Sequence, residues 1–150
     1  MSRVGLVTCR PLPEPDPDEA LLVEALRPHV DAVELVAWND PADDPGRSEV
    51  CVLRSCWDYP TAPDAFLAWL ERADAATRLL NPLAVLRWNF HKRYLVELEA
   101  GGVPTVPTAW IGRGEATTLA EVREGHGWRD VVVKPAISAA SLLTRRFRPG

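Results

Sequence analysis

The sequence lacks the features that mark membrane, secreted and nucleic-acid-binding proteins. No apolar run approaches the roughly 18 residues that a transmembrane helix needs, and the N-terminus shows no signal-peptide core followed by a cleavage site. A net charge of -4 and the lack of a segment dense in Lys and Arg, apart from Arg145-Arg146-Phe147-Arg148, argue against nucleic acid as the main partner. We therefore expect a cytoplasmic protein with neither a membrane nor a nucleic acid as its partner.

Disulfide and metal-binding patterns are also missing. The three cysteines, Cys9, Cys51 and Cys56, contain no Cys-x-x-Cys pair, and the three histidines stand far apart without a second His or Cys at ligand spacing. An odd number of scattered cysteines does not indicate a disulfide framework. The pattern predicts reduced thiols in the core and no transition-metal site.

Several common nucleotide-binding and hydrolytic motifs are absent or incomplete. The chain has no Gly-x-x-x-x-Gly-Lys-Ser/Thr loop, which excludes a P-loop NTPase, and no Gly-x-Ser-x-Gly elbow of a serine hydrolase. Gly112 and Gly114 follow a predicted strand, but Thr117 takes the place of the third glycine of a dinucleotide-binding turn. Neither nucleophilic hydrolysis nor dinucleotide binding is therefore supported.

What the sequence does contain is the composition and the alternation of a globular α/β protein. With 150 residues, of which 47% are hydrophobic and 25% charged, the chain can bury about 70% of its unfolded surface. The predicted strands are 4–8, 32–38, 50–54 and 79–80, and the predicted helices cover 21–30 and 63–73. This order predicts a small Rossmann-like layer with a mostly parallel sheet.

The pattern changes near residue 82, so the predicted domains are 1–82 and 83–150. We expect the second part to contain a helix whose N-cap is Asn89 and whose first turn includes Lys92. A cation in the first turn opposes the helix dipole, so this position is poor for stability and suits an anion site. The helix should stop at the glycine pair 101–102.

Three further elements are predicted downstream. A strand interrupted by proline covers 105–111, and a strand covers 131–134. Between them, the spacing of Thr118 and Glu121 predicts a capping box that opens a short helix.

Lys134 closes the last predicted strand and precedes a segment of small side chains. Ser138, Ala139, Ala140 and Ser141 offer two hydroxyl groups and let backbone N–H groups approach an anion closely. No acidic residue lies within the ten positions that follow Lys134, although a buried ammonium needs a counter-charge. A bound nucleotide could supply that charge.

Six segments occur in an order that carries a family resemblance. They are Trp38-Asn39-Asp40, Arg54-Ser55-Cys56-Trp57-Asp58-Tyr59, Asn81-Pro82, Trp88-Asn89-Phe90-His91-Lys92-Arg93-Tyr94-Leu95, Gly102-Val103-Pro104-Thr105-Val106-Pro107-Thr108 and Lys134-Pro135-Ala136-Ile137-Ser138. Together they resemble the ATP-grasp ligases, and most of all the glutathione-synthetase-like branch that includes the cyclo-ligase forming cycloserine from O-ureidoserine. Each segment is weakly specific by itself, and their order and spacing carry the resemblance.

The resemblance implies a Rossmann-like pre-ATP-grasp layer followed by the first part of an ATP-grasp domain. It implies an ATP-dependent carboxylate–amine ligase that forms an acyl phosphate from an amino-acid-like substrate. The ATP phosphates would contact Lys92, Lys134 and the loop of Ser138, Ala139, Ala140 and Ser141. An ATP-grasp domain would continue well past residue 150 and carry its Mg²⁺ ligands there, so the chain is expected to resemble a half-enzyme that is inactive alone.

A second group of residues is the candidate substrate site. Arg54, Asp58 and Tyr59 follow the third predicted strand at its carboxyl end, where open parallel sheets usually bind ligands. Arg54 can hold a substrate carboxylate with two parallel hydrogen bonds, and Asp58 can receive an amino group. Trp38 and Trp57 are better explained as packing or as the wall of a pocket.

Simpler explanations stay open for all of these residues. Lys134 can extend from a strand end into water, Lys92 can be a surface lysine, and residues 138–141 can form an ordinary hairpin turn. An ion pair between Arg54 and Asp58 would only tie down a loop. The alternative function is a non-catalytic module that binds a small molecule or a partner chain, and the sequence also allows a homo-oligomer or a neighbouring polypeptide that completes the enzyme.

Overall fold

The computed structural model describes residues 2–148, which fall into two compact units that meet in sequence between His91 and Lys92. The first unit contains β1 (Arg3–Thr8), α1 (Glu19–Leu26), β2 (Ala32–Ala37), β3 (Val50–Ser55), α2 (Pro63–Ala76), β4 (Arg78–Leu80) and α3 (Leu83–Phe90). The second contains α4 (Tyr94–Ala100), α5 (Leu119–His126), β5 (Val131–Val133) and β6 (Arg145–Phe147). The proposed division into functional domains after residue 82 stays a prediction.

A four-stranded parallel sheet in the order β2-β1-β3-β4 organises the first unit. The chain moves outward from β1 to β2 in one direction and from β3 to β4 in the other, so the topological switch point lies between β1 and β3. There Thr8, the last residue of β1, lies beside Ala37 of β2 and Ser55 of β3. The predicted α/β class is confirmed, and the four predicted strands are present with bounds that differ by at most one residue.

The hydrophobic core lies in the first unit and is built around α2. Phe66, Trp69, Leu70 and Ala73 recur at helical spacing and are all buried. They pack with side chains from the strands and the loops that follow them, namely Val7, Cys9, Val36, Trp38, Cys51, Cys56 and Leu79. The three cysteines are reduced and buried, as predicted, and burial raises the pKa of each thiol, so they remain neutral packing groups.

The predicted helix with Asn89 at its N-cap is wrong. Asn89 lies in the last turn of α3, a second helix begins at Tyr94, and Lys92 occupies the turn between the two. The break has a tertiary cause, because the backbone N–H of Lys92 donates to the carbonyl of Ala136 at 2.9 Å and is not available to continue α3. The predicted stop at the glycine pair is confirmed, since α4 ends with Gly101 as its C-cap.

The predicted strand over 105–111 is also wrong. These residues have no regular secondary structure, and Val106 among them is 82% exposed. Pro104 and Pro107 lack the backbone donors that pairing with a neighbouring strand needs. The predicted capping box is confirmed, since Thr118 and Glu121 form it at the start of α5.

The second unit has no residue classed as buried anywhere in 92–148. Its sheet consists of β5 paired antiparallel with β6, and Val132 and Val133 of β5 are about half exposed, at 55% and 45%. Within residues 2–148 no helix is long and apolar enough to cross a membrane. The same residues contain no cluster of three or more His, Cys, Asp or Glu side chains that could hold a metal ion.

Candidate functional site

A pocket of about 240 Å³ in the first unit contains two of the three predicted substrate residues. Arg54 and Tyr59 both line it, together with Trp57, Asn89 and Phe90 and with apolar core side chains. Arg54 is the one charged side chain among the described residues that line the pocket. Trp57 therefore forms pocket wall, whereas Trp38 is a core residue that meets Phe66 edge-on at 5.0 Å between ring centroids.

The third predicted substrate residue, Asp58, does not line this pocket. Its Oδ1 accepts a hydrogen bond from Nε1 of Trp38 at 2.6 Å, and its Oδ2 accepts one from Nδ2 of Asn39 at 2.9 Å. Asn39 in turn exchanges two hydrogen bonds with the backbone of Arg10. Asp58 thus ties together the segments that follow β1, β2 and β3, and its role as an amino-group receptor stays a prediction.

Arg54 pairs with Asp16 rather than with Asp58 in the described part of the chain. Nη2 of Arg54 lies 3.3 Å from Oδ2 and 3.5 Å from Oδ1 of Asp16, and 3.9 Å from Oδ2 of Asp18. The simpler explanation of Arg54 as a partner of Asp58 is therefore not supported. Asp16 belongs to the proline-rich loop after β1, which brings it over the carboxyl ends of the strands.

The Asp16 carboxylate is enclosed, with 4% of its side chain exposed. The hydroxyl of Ser55 donates a hydrogen bond to Oδ2, and the backbone N–H of Asp18 donates to Oδ1 at 3.0 Å. These donors, the Ser55 hydroxyl foremost, together with the charge of Arg54 lower the pKa of Asp16 against the opposing effect of burial. Asp16 is therefore a fixed anion at neutral pH.

A narrow cleft at the switch point joins these groups. It is lined by Thr8, Asp16, Arg54 and Ser55 among others, and it has no room for a water molecule. The Thr8 hydroxyl is buried there without a hydrogen-bond partner among residues 2–148. Asp16 was not among the candidate site residues predicted from the sequence. The available signal was topological, since residues that follow neighbouring parallel strands meet at one edge of the sheet.

In the second unit, the structure brings Lys92 to the predicted small-residue loop. Its Nζ donates to the carbonyl of Ser138 at 3.0 Å and lies 2.7 Å from the Ser138 hydroxyl oxygen. Desolvation lowers the pKa of Lys92, and the positive charge of Lys134 lowers it further. Within residues 2–148 neither lysine forms an ion pair, so no carboxylate pairs with Lys92 to offset these effects.

The loop that follows Lys134 connects β5 to β6 and has an unusual backbone. Ala140, Ser141 and Leu143 have φ values of 46°, 56° and 55°, in the left-handed region that normally favours glycine. The N–H of Leu142 donates to the carbonyl of Ala139 at 2.9 Å and closes a turn whose central residues are Ala140 and Ser141. The loop is thus a strand connection, as the simpler explanation holds, but one that carries local strain.

Comparison with known proteins adds evidence of kinship. The sequence model for the N-terminal domain of the D-cycloserine synthetase DcsG matches residues 4–81. The cycloserine biosynthesis protein DcsG of Streptomyces lavendulae is 36% identical over 137 residues, which make up 89% of this chain and 46% of that protein. A crystal structure of D-cycloserine synthetase DcsG superposes with a TM-score of 0.85 at 35% identity, covering 98% of this chain and 50% of that one. The chain spans about half the length of these relatives, and it belongs to the family of the DcsG N-terminal domain.

Proposed function

We propose that this chain supplies the substrate layer and part of the ATP-phosphate site of an ATP-dependent carboxylate–amine ligase. The enzyme would activate a carboxylate as an acyl phosphate, which an amine or a similar nucleophile then displaces. Because the relatives are named for cycloserine synthesis, we extend to this chain a role in making cycloserine or a related amino-acid-like compound.

The observation that carries the proposal is the group formed by Lys92, Lys134 and Ser138. Desolvation and then the positive charge of Lys134 lower the pKa of Lys92, and a bound polyphosphate would supply the anion that stabilises its charged form. At an effective dielectric of about 20, each close pair of opposite charges gains about 4 kcal/mol. The Ser138 hydroxyl and the turn that follows it add donors beside the lysines.

The residues present fit the phosphates of ATP and do not fit its metal. Lys92, Lys134 and the loop of Ser138, Ala139, Ala140 and Ser141 would hold the phosphates, and ATP would supply the phosphoryl group that activates the carboxylate. The lysines neutralise charge and fix position, which is most of what phosphoryl transfer requires of a protein. Residues 2–148 contain no acidic cluster that would hold Mg²⁺.

The test uses the fact that Lys92 and Lys134 are the two lysines of the sequence. Selective ¹⁵N-lysine labelling therefore gives two side-chain signals that can be followed during titration with ATP or with inorganic tripolyphosphate. We expect both signals to shift and the pKa of Lys92 to rise, because a bound polyanion favours its charged form. Lys134→Met should weaken binding, whereas Arg129→Met, which removes an exposed charge of the same sign, should not. Equal binding by the parent and Lys134→Met would contradict the proposal.

The alternative function is a binding module that works without nucleotide, and one observation favours it. The 240 Å³ pocket is formed wholly within the first unit, which also holds the core. Calorimetry with a small carboxylate, in the presence and absence of ATP, separates the two. Binding that ATP leaves unchanged supports the module, and binding that ATP strengthens supports the ligase. A homo-oligomer or a complementing chain would show as an increase in mass on size-exclusion chromatography with light scattering.

A further inference from the structure

We propose that Asp16, held in place by Ser55, is a positioning residue that directs the Arg54 guanidinium into the 240 Å³ pocket, which thereby binds small carboxylates. The inference rests on the proposed function for the identity of the substrate site. It adds the residue that positions Arg54 and the chemical class of the ligand. It does not require nucleotide.

Arg54 lines two spaces. One is the narrow cleft at the switch point, where its Nη2 faces Asp16 and where there is no room for a water molecule. The other is the larger pocket with Trp57 and Tyr59 in its wall. A ligand can be accommodated in the second space and not in the first, so Asp16 acts from behind Arg54 and does not touch the ligand.

Two of the three guanidinium nitrogens of Arg54, Nε and Nη1, are available for a ligand. A guanidinium has five N–H donors, and in the described structure Arg54 uses Nη2 alone, toward Asp16. The Nε and Nη1 donors have no partner among residues 2–148, and 37% of the side chain is exposed. A ligand carboxylate can accept from such free donors in the bidentate geometry that arginine favours.

The support for this arrangement is rigid. Asp16 accepts hydrogen bonds from the Ser55 hydroxyl and from the Asp18 backbone, and Ser55 itself is 1% exposed at the end of β3. An arginine fixed at one edge loses less conformational freedom when its other donors bind a ligand. The loop after β1 thus positions Arg54 beside a pocket that β3 and α2 enclose.

The rest of the pocket defines the ligand class. Its other lining groups are uncharged, including the rings of Trp57, Tyr59 and Phe90 and the amide of Asn89. Because Asp58 is turned toward Trp38 and Asn39, no free carboxylate faces the space from the described residues. A volume of about 240 Å³ is below the usual range for ligand pockets, so the ligand is small. These features fit one carboxylate attached to a compact body that can stack on the rings.

The first experiment measures the position of Arg54 without any ligand. Side-chain ¹⁵Nε relaxation of Arg54 is compared in the whole parent chain, in Asp16→Asn and in Asp18→Asn. Asp18 is the matched control, since it takes the same substitution 3.9 Å from Arg54 but is 71% exposed. We expect Arg54 to become mobile in Asp16→Asn and to stay ordered in Asp18→Asn. An equally ordered Arg54 in all three proteins overturns the proposal.

The second experiment measures binding by ligand-observed NMR with three probes: 3-phenylpropanoate, phenylalanine and 3-phenylpropanamide. The carboxylates should bind the parent and the uncharged amide should bind at least about tenfold more weakly, which corresponds to about 1.4 kcal/mol. Asp16→Asn should weaken both carboxylates by a similar factor, and Arg54→Met should abolish their advantage over the amide. If Asp16→Asn weakens phenylalanine alone, Asp16 receives the ligand's amino group and the positioning role is wrong. Absence of carboxylate binding to the parent also overturns the inference.

Folding of the variants is controlled in two ways. The amide spectrum of α2 reports whether the core is intact, because that helix supplies four buried side chains. Ser55→Ala keeps the Asp16 charge but removes its buried donor, so it should loosen Arg54 less than Asp16→Asn does. An unchanged Arg54 in a folded Ser55→Ala protein contradicts the assigned role of Ser55.

Discussion

The two units differ in how their candidate sites are supported. In the first unit, Arg54 and Asp16 lie above a sheet and a helix whose inward side chains, such as Val7 and Leu70, are fully buried. In the second, Lys92 and Ser138 meet among residues of which none is buried within 92–148. The pocket beside Arg54 is therefore formed by the first unit alone, whereas the contact between Lys92 and Ser138 depends on local turns.

The difference follows from how much apolar surface each part can remove from water. A two-stranded sheet is at best marginally stable in water, and β5 with β6 has no buried face of its own. The second unit therefore has less buried apolar surface with which to hold its candidate site in place.

The largest expected effect comes from separating the units. A fragment of residues 1–91 should unfold cooperatively in urea, because it contains the whole described core. A fragment of residues 92–150 should show no cooperative transition in circular dichroism or tryptophan fluorescence. A sharp urea transition in the second fragment would remove the basis of the comparison.

A pair of identical substitutions sharpens the contrast within the whole chain. Leu70→Ala, at a side chain that is fully buried, should reduce the free energy of unfolding by about 2–5 kcal/mol. Leu143→Ala, at a residue that is 69% exposed, should change it by less than about 0.5 kcal/mol. Urea denaturation measures both, and similar losses would show that the second unit also contributes a core.

A smaller effect is expected from acid on the first unit. The folded state lowers the pKa of Asp16 from its usual 3.8, so ionised Asp16 stabilises the fold at neutral pH. That contribution is present above about pH 4 and is lost as the pH falls through the folded-state pKa. Asp16→Asn should therefore show a shallower loss of stability between about pH 5 and pH 2 than the parent. Asp18→Asn serves as the control and should follow the parent. If Asp16→Asn and the parent lose stability in parallel as the pH falls, the stabilising role of ionised Asp16 is refuted.

The smallest effect concerns the charge of Lys92 in the second unit. Desolvation and then Lys134 lower its pKa from 10.5, so the unfolded chain binds more protons just below that value and stability rises with pH there. Lys134→Met should raise the pKa of Lys92 part of the way back, because only the contribution of Lys134 is removed. Titration of the ¹⁵Nζ signal measures the change, and an unchanged pKa would place the two lysines too far apart for one anion.

Much of the fold could be predicted because its signals are local. The apolar runs that form β1 to β4, the helical spacing of α2 and the capping box of α5 each follow from a few consecutive residues. The helix break at Lys92 could not be predicted this way, because its N–H is taken by Ala136, which lies far along the chain. Of the candidate site, Arg54 with Tyr59 and Lys92 with Ser138 lie as the sequence suggested, and the binding roles of all these residues stay predictions.

By itself the sequence determined the parallel α/β layer and the location of its strands, and it identified the candidate site residues. Only the tertiary structure decided which of these groups meet. In the folded chain Arg54 pairs with Asp16, and Asp58 accepts a hydrogen bond from Trp38. No residue of 92–148 is buried in the second unit. The physical reason is that periodicity reports one element at a time, whereas the partners at a sheet edge depend on strand order and on loops that span many residues.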